Sequence, residues 1–227
     1  DIELIDSALE HNSMAAASIH DLRMDHGTLD RSSFSGTKLK DVMIRGQSSI
    51  LASDFSGCGV SNLRLEGESG GSSLKGSRLS GARVSDVLLR SSTIEDADFS
   101  GSSLHDLKMM DSGLVGCKFR GSSLHNVEIA SSHLDGCRMD GVGLDDVKVE
   151  GSRLVKVQFL GAMDHFRRQV HDVQIRDSTL DGVVFDGCVL QGTRIEGVTA
   201  SGLRLRGKDL SRMTITSAEA LEELAQK

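Results

Sequence analysis

The chain has no proline, tryptophan or tyrosine, and its only aromatic residues are seven phenylalanines. Its four cysteines, Cys58, Cys117, Cys137 and Cys188, form no Cys-x-x-Cys pair, which removes the usual zinc and dithiol redox motifs. There is no His-Glu-x-x-His string, no P-loop and no dinucleotide-binding fingerprint. Gly67-Glu68-Ser69-Gly70-Gly71 fits the G-x-S-x-G string, but it lies in a Gly/Ser-rich loop rather than on a strand-turn-helix elbow. Catalysis is therefore not expected, and no cofactor or metal is implied. No stretch is apolar enough to cross a membrane, and no signal peptide is visible. The net charge of −7 argues against direct nucleic-acid binding. Absence of a disulfide framework suits the cytoplasm. Because the chain starts at Asp1 rather than Met, the alternative is a periplasmic location after removal of a leader.

The sequence also lacks the two ordinary periods, 3.6 for a helix and 2 for a strand. In their place every fifth residue is apolar. The series runs from Leu4 to Ile44, slips by one residue and resumes from Ile50 to Leu65. It continues from Leu74 to Phe159 without a break and ends with a run from Val170 to Ile215. Of these 41 centres, 40 carry Leu, Ile, Val, Met or Phe and one carries Ala200. Fixed self-similarity of this kind marks a repeat architecture.

Two residues before each centre lies a second set, mostly small, such as Ser92, Ala97, Ser102 and Cys117. All four cysteines sit in this inward place, where a free thiol acts as a small apolar side chain. Two residues after the centre Gly, Asp or Asn is common, as at Gly101, Asp41 and Asn126. The unit reads as a very short strand with two inward side chains followed by a turn.

This pattern resembles the pentapeptide-repeat family, whose motif is a small residue, Asp or Asn, Leu or Phe, and two variable positions. The resemblance covers residues 2 to 216 and implies an all-β fold, a right-handed quadrilateral parallel β-helix of about ten coils. One position departs from the motif: only Asp54, Asp98 and Asp209 put Asp or Asn before the centre. Thr216-Ser217-Ala218-Glu219 matches a capping box, and Leu221 and Leu224 share a helical face. The expected organisation is thus a solenoid over residues 1–216 and a short capping helix over 217–227, which covers the bare strand edges of the last coil. Family counterparts often pair end to end through this region, so a homodimer through the C-terminal end and a capped monomer are both open.

A square coil predicts a second period of twenty. Six of the seven Phe then share one face, called face two here, as Phe34, Phe55, Phe99, Phe119, Phe159 and Phe185. Ser72, Ser92, Ser112, Ser132, Ser152 and Ser178 become the inner partners on face one, and Leu22, Val42, Leu63, Val87, Leu107 and Val127 those on face four. The slips fall at corners: one residue before Ile50 and four before Leu74 at the corner from face four to face one, and six around Gly161–Arg167 at the corner from face two to face three.

Three surface features are candidates for function. The corner leaving face three carries Asp21, Asp41, Asn62, Asp86, Asp106, Asn126, Asp146 and Asp172 in eight consecutive coils. Turn chemistry accounts for Asp and Asn there, but the carboxylates also form a negative stripe. On a rod of roughly duplex width the resemblance connects such a stripe to the quinolone-resistance type of pentapeptide-repeat protein, which implies DNA mimicry against a type II topoisomerase. The six-residue insertion brings His165, Phe166, Arg167 and Arg168 together, which reads either as a composition typical of interface anchors or as Phe166 tucking back over the gap left in face three. His105, His125 and Asp145 should stack along face three, where they read either as a solvated column or as a transition-metal ladder. The reading that follows is a rigid, non-enzymatic scaffold that docks another protein. Candidate contact residues are Asp41, Asp86, Asp106, Asp146 and Asp172 on the corner, with His165 to Arg168 on the insertion; Lys38, Lys40, Arg83, Lys118, Arg120, Arg204 and Arg206 are scattered beside the centres.

Overall fold

A computed structural model describes residues 1–67, 71–160, 170–188, 190, 192–206 and 213–216. Among these residues every ordered element is a strand or a β-bridge, and every strand pairing is parallel. The chain is a four-sided β-solenoid of about ten turns. The predicted helix over 217–227 lies outside the described residues.

Three stacks of strands make the walls. Eight- and nine-residue strands such as Ser18–Asp25, Lys38–Gly46, Ser103–Met110 and Gly143–Glu150 bend through a corner and cover faces three and four together. Three-residue strands from Ala8–Glu10 to Thr199–Ser201 form face one. Face two begins as single bridges, Ser13 to Ser33 to Asp54 to Arg78 to Asp98 to Lys118 to Arg138, and widens into strands from Arg138–Asp140 onward.

The twenty-residue period is the pairing register itself: Leu104 pairs with Leu124 and Leu124 with Leu144. Each predicted slip sits at its expected corner. Asp25 pairs with Arg45 but Thr28 with Ser49, which locates the single extra residue between faces four and one. Gly46 pairs with Gly67 and Ser49 with Ser73, which adds the next loop at the same corner one coil on. Met139 pairs with Phe159 but Asp145 with His171, so the six-residue insertion leaves between faces two and three.

The column inside is buried and closely stacked. Phe34 stacks on Phe55, Phe99 on Phe119 and Phe159 on Phe185, with centroids 4.5 to 5.0 Å apart and planes within 5°. Leu79 and Met139 separate the three pairs. On face one the buried serines form a hydroxyl ladder. Ser112 Oγ donates to Met110 O at 2.7 Å and accepts the N–H of Ser92 at 3.3 Å, and the N–H of Ser112 in turn donates to Ser132 Oγ at 3.2 Å. Burying a hydroxyl costs little once donor and acceptor are both satisfied, which is why serine is tolerated in this core.

Candidate functional site

The backbone explains only part of the acidic corner column. From Asp21 to Asp172 all eight Asp and Asn residues adopt positive φ, between 49° and 58°. Short polar side chains tolerate that region, so the turn reading is sound. The other corners impose the same φ, however, and accept His11, Arg31, Ala52, Ser91, Ser131 and Lys156 there. An unbroken acid or amide run is therefore more than the turn requires. The added reason is stacking along the axis: Asn62 Nδ2 donates to Asp41 Oδ1 at 2.7 Å, and Asn126 Nδ2 donates to Asp106 Oδ1. The two Asn interruptions each cap a carboxylate of the preceding coil.

The stripe is also less negative than the column of acids suggests. Outward positions of face four, two residues beyond the corner, bring Arg23, Arg64 and Lys148 alongside. Arg23 lies 3.9 Å from Asp21, Lys148 lies 3.8 Å from Asp146, and Arg64 Nε donates to Asn62 Oδ1 at 3.2 Å. Lys108 pairs with Glu128 at 3.2 Å on the same face. Exposed pairs like these are individually weak, but they place positive charge beside the stripe in alternate coils. Asp41, Asp86, Asp106, Asp146 and Asp172 do share one edge, as expected, but it is a mixed-charge edge. Reading the corner alone missed the cations because they belong to the next face.

His105 and His125 stack as predicted, with ring centroids 5.7 Å apart, edge to face. Ser103 Oγ lies 2.9 Å from His105 Nε2, and His125 Nδ1 lies 2.9 Å from Asp145 Oδ2. The column is thus a hydrogen-bonded surface ladder. Among the described residues no group of three or more His, Cys, Asp or Glu is arranged to hold a metal ion. His165, Phe166, Arg167 and Arg168 lie outside the described residues, as do Glu68, Ser69 and Gly70 of the G-x-S-x-G string.

A second column of charge lies on face two, where Asp54, Arg78, Asp98 and Lys118 alternate in register. The amide of Ser56 donates to Asp54 Oδ1 at 2.9 Å, and Ser56 together with Arg78 holds that carboxyl below its ordinary range despite partial burial. At Asp98 burial pushes the other way but is outweighed by hydrogen bonds from Ser100 and by Lys118, so this carboxyl too is lowered. All four thiols are buried. Burial pushes the Cys58 thiol up, and contact with Cys137 and burial push Cys117 up, so neither is a nucleophile.

With the geometry in place, comparison with known proteins is informative. Residues 71–106 match the family model described as pentapeptide repeats (8 copies). No curated protein matches the chain in sequence. Among solved structures it is similar to HetL, a pentapeptide repeat protein involved in heterocyst differentiation regulation from the cyanobacterium Nostoc sp. strain PCC 7120. That likeness is 14% identical, covers 94% of this chain and 88% of HetL, and has a TM-score of 0.76. A trypsin-treated form of QnrB1, a plasmid-mediated fluoroquinolone resistance protein, is 16% identical over 99% of this chain and 95% of QnrB1, with a TM-score of 0.48. Among the described residues no helix is long and apolar enough to cross a membrane.

Proposed function

Because the chain is a pentapeptide-repeat protein, we propose that it works as a rigid, non-enzymatic scaffold that docks another protein. The observation that carries this reading is the unbroken parallel register, which repeats outward side chains coil after coil on flat faces at about the 4.8 Å strand spacing. Such a lattice offers a partner many weak contacts in fixed positions, with little ordering left to do on binding. The corner acids Asp41, Asp86, Asp106, Asp146 and Asp172 and the insertion residues His165 to Arg168 remain its proposed contact points. Residues 1–216 are proposed as the one repeat domain and 217–227 as its cap, the segment through which a homodimer would pair end to end.

Affinity purification with the full chain as bait, followed by cross-linking mass spectrometry, tests the scaffold. The expected result is a stoichiometric protein partner whose cross-links fall on one or two adjacent faces; recovery of no protein partner overturns the reading. DNA mimicry is the weaker alternative, because Arg23, Arg64 and Lys148 interrupt the acidic field a duplex mimic needs. In a gyrase supercoiling assay the chain is expected neither to inhibit the enzyme nor to protect it from a quinolone.

A further inference from the structure

Face three carries charge of one sign over its first six coils. Its outward positions flank the centres Ile19, Leu39, Val60, Val84, Leu104 and Leu124, and none of those positions from Ser18 to His125 is acidic. In a chain with net charge −7 this is the opposite of the average surface.

The slips in the sequence gather its cations. Lys38 pairs in register with Gly59, and Gly59 with Arg83, so two cations 45 positions apart in sequence stand two strands apart, roughly 9–10 Å at the backbone. Gly59 lies between them, and a Cβ built on it meets nothing within 4 Å. The missing side chain leaves a pit in a shallow groove of about 430 Å³, bounded by His20, Lys38, Lys40, Ser61 and Arg83. Among the described residues no carboxylate lines that groove. Lys38, Lys40 and Arg83 are exposed, and none has an ion-pair partner among the described residues.

The neighbouring acids do not neutralise the groove. Asp21, Asp41 and Asp86 stand on the corner at its edge, outside its lining; Asp21 is drawn toward Arg23 on face four and Asp41 accepts the amide of Asn62. The corner beside the pit is that neutral Asn62. The opposite border is built of Ser35, Gly36, Ser56, Gly57, Ser80 and Gly81, which carry no charge.

We propose that the Lys38–Gly59–Arg83 groove on face three is the docking site for an extended acidic segment of a partner protein. One carboxylate of that segment sits in the Gly59 pit between Lys38 and Arg83, and the next meets Lys40 and the Ser61 hydroxyl. Arginine can grip a carboxylate through two parallel N–H donors, whereas lysine acts as a point charge, so Arg83 fixes orientation and the lysines add attraction. The inference rests on the scaffold reading and names the surface and chemistry it uses.

The test uses a fluorescein-labelled oligo-glutamate peptide and the full chain, read by fluorescence anisotropy. Wild-type protein is expected to bind, and to bind more weakly as salt rises from roughly 50 to 300 mM. The triple variant Lys38→Glu/Lys40→Glu/Arg83→Glu should bind at least about tenfold more weakly, and Gly59→Glu should do the same by filling the pit with like charge. Glu10→Gln and Glu150→Gln, exposed and outside the groove, should leave binding unchanged. Lys38, Lys40 and Arg83 are exposed and Gly59 is partly so, and an unaltered thermal transition by circular dichroism confirms that each variant is folded. No binding by wild type, equal binding by the triple variant, or tighter binding of a single-stranded oligonucleotide than of the peptide overturns the proposal. Capture of the same cross-linked partner by wild type and triple variant removes the groove but leaves the scaffold standing; capture of none by either removes both.

Discussion

The two halves of face two are built on one backbone but filled differently. In the N-terminal coils the inner place before each centre holds Ser32, Ser53 and Ser77; in the C-terminal coils it holds Val157, Val183 and Leu203, with Ala97, Cys117 and Cys137 between. All nine are buried. The serines form a ladder in which the N–H of Ser32 donates to Ser53 Oγ at 3.2 Å and that of Ser53 to Ser77 Oγ at 3.1 Å. Beyond Ala97 hydroxyls give way to thiol and hydrocarbon. Face one keeps its serines from Ser48 to Ser178 through both halves. The coil shape therefore does not depend on inner hydroxyls; it is set by the left-handed corners and the register, and the inner column can be filled by either chemistry.

The largest effect expected is one that ignores the difference. Leu124→Asp puts a carboxylate into the middle of the stack, where Leu124 pairs with Leu104 and Leu144, and should cost more than about 4 kcal/mol and abolish cooperative thermal unfolding. An unchanged melting curve would sink the register. Phe119→Ala removes one ring of the Phe99–Phe119 stack at the boundary between the halves and should cost about 3–5 kcal/mol by chemical denaturation.

Exchanging the two chemistries sharpens the comparison. Val183→Ser replaces buried hydrocarbon by a hydroxyl and should destabilise by about 2 kcal/mol. Ser53→Val should cost about 1–3 kcal/mol for a different reason, because the N–H of Ser32 loses its acceptor. Cys117→Ser, at the changeover, should stay within about 1 kcal/mol of wild type, since Ile94 O and Val115 O already lie within reach of the thiol. Equal tolerance of all three exchanges would mean that the halves differ only by drift.

This uniform backbone explains why so much was legible in the sequence. A five-residue beat has one buried centre per turn, so any insertion must fall at a corner, and the register read from Phe34, Phe55 and Phe99 is the register observed. The surface was less legible because it depends on which columns become neighbours. Arg23 and Lys148 belong to face four in sequence but lie against the acids of the face-three corner. Lys38 and Arg83 read as scattered cations, yet two slips totalling five residues bring them to either side of Gly59. Gly59 has no positive φ, and its role is the space it leaves.

The smallest effect is also confined to one half. On the outer side of face two, Asp54 and Asp98 alternate with Arg78 and Lys118, whereas the later coils place Arg138, Gln158, Val184 and Arg204 in that column. Both carboxyls are held below their ordinary range in the folded chain, so each binds a proton less readily folded than unfolded. The stability they contribute is therefore fully present above the unfolded carboxylate value of about 3.9 and is lost as pH falls through the folded values. Being partly exposed, the pair contributes less than any core substitution above. Melting temperature of wild type should fall between roughly pH 5 and pH 2, and the double variant Asp54→Asn/Asp98→Asn should fall less steeply over that interval. Arg204→Gln, in the half whose outer column holds no acid, should leave the slope unaltered; if it flattens the curve as much as the Asp pair does, the alternating column is not the source of the acid sensitivity.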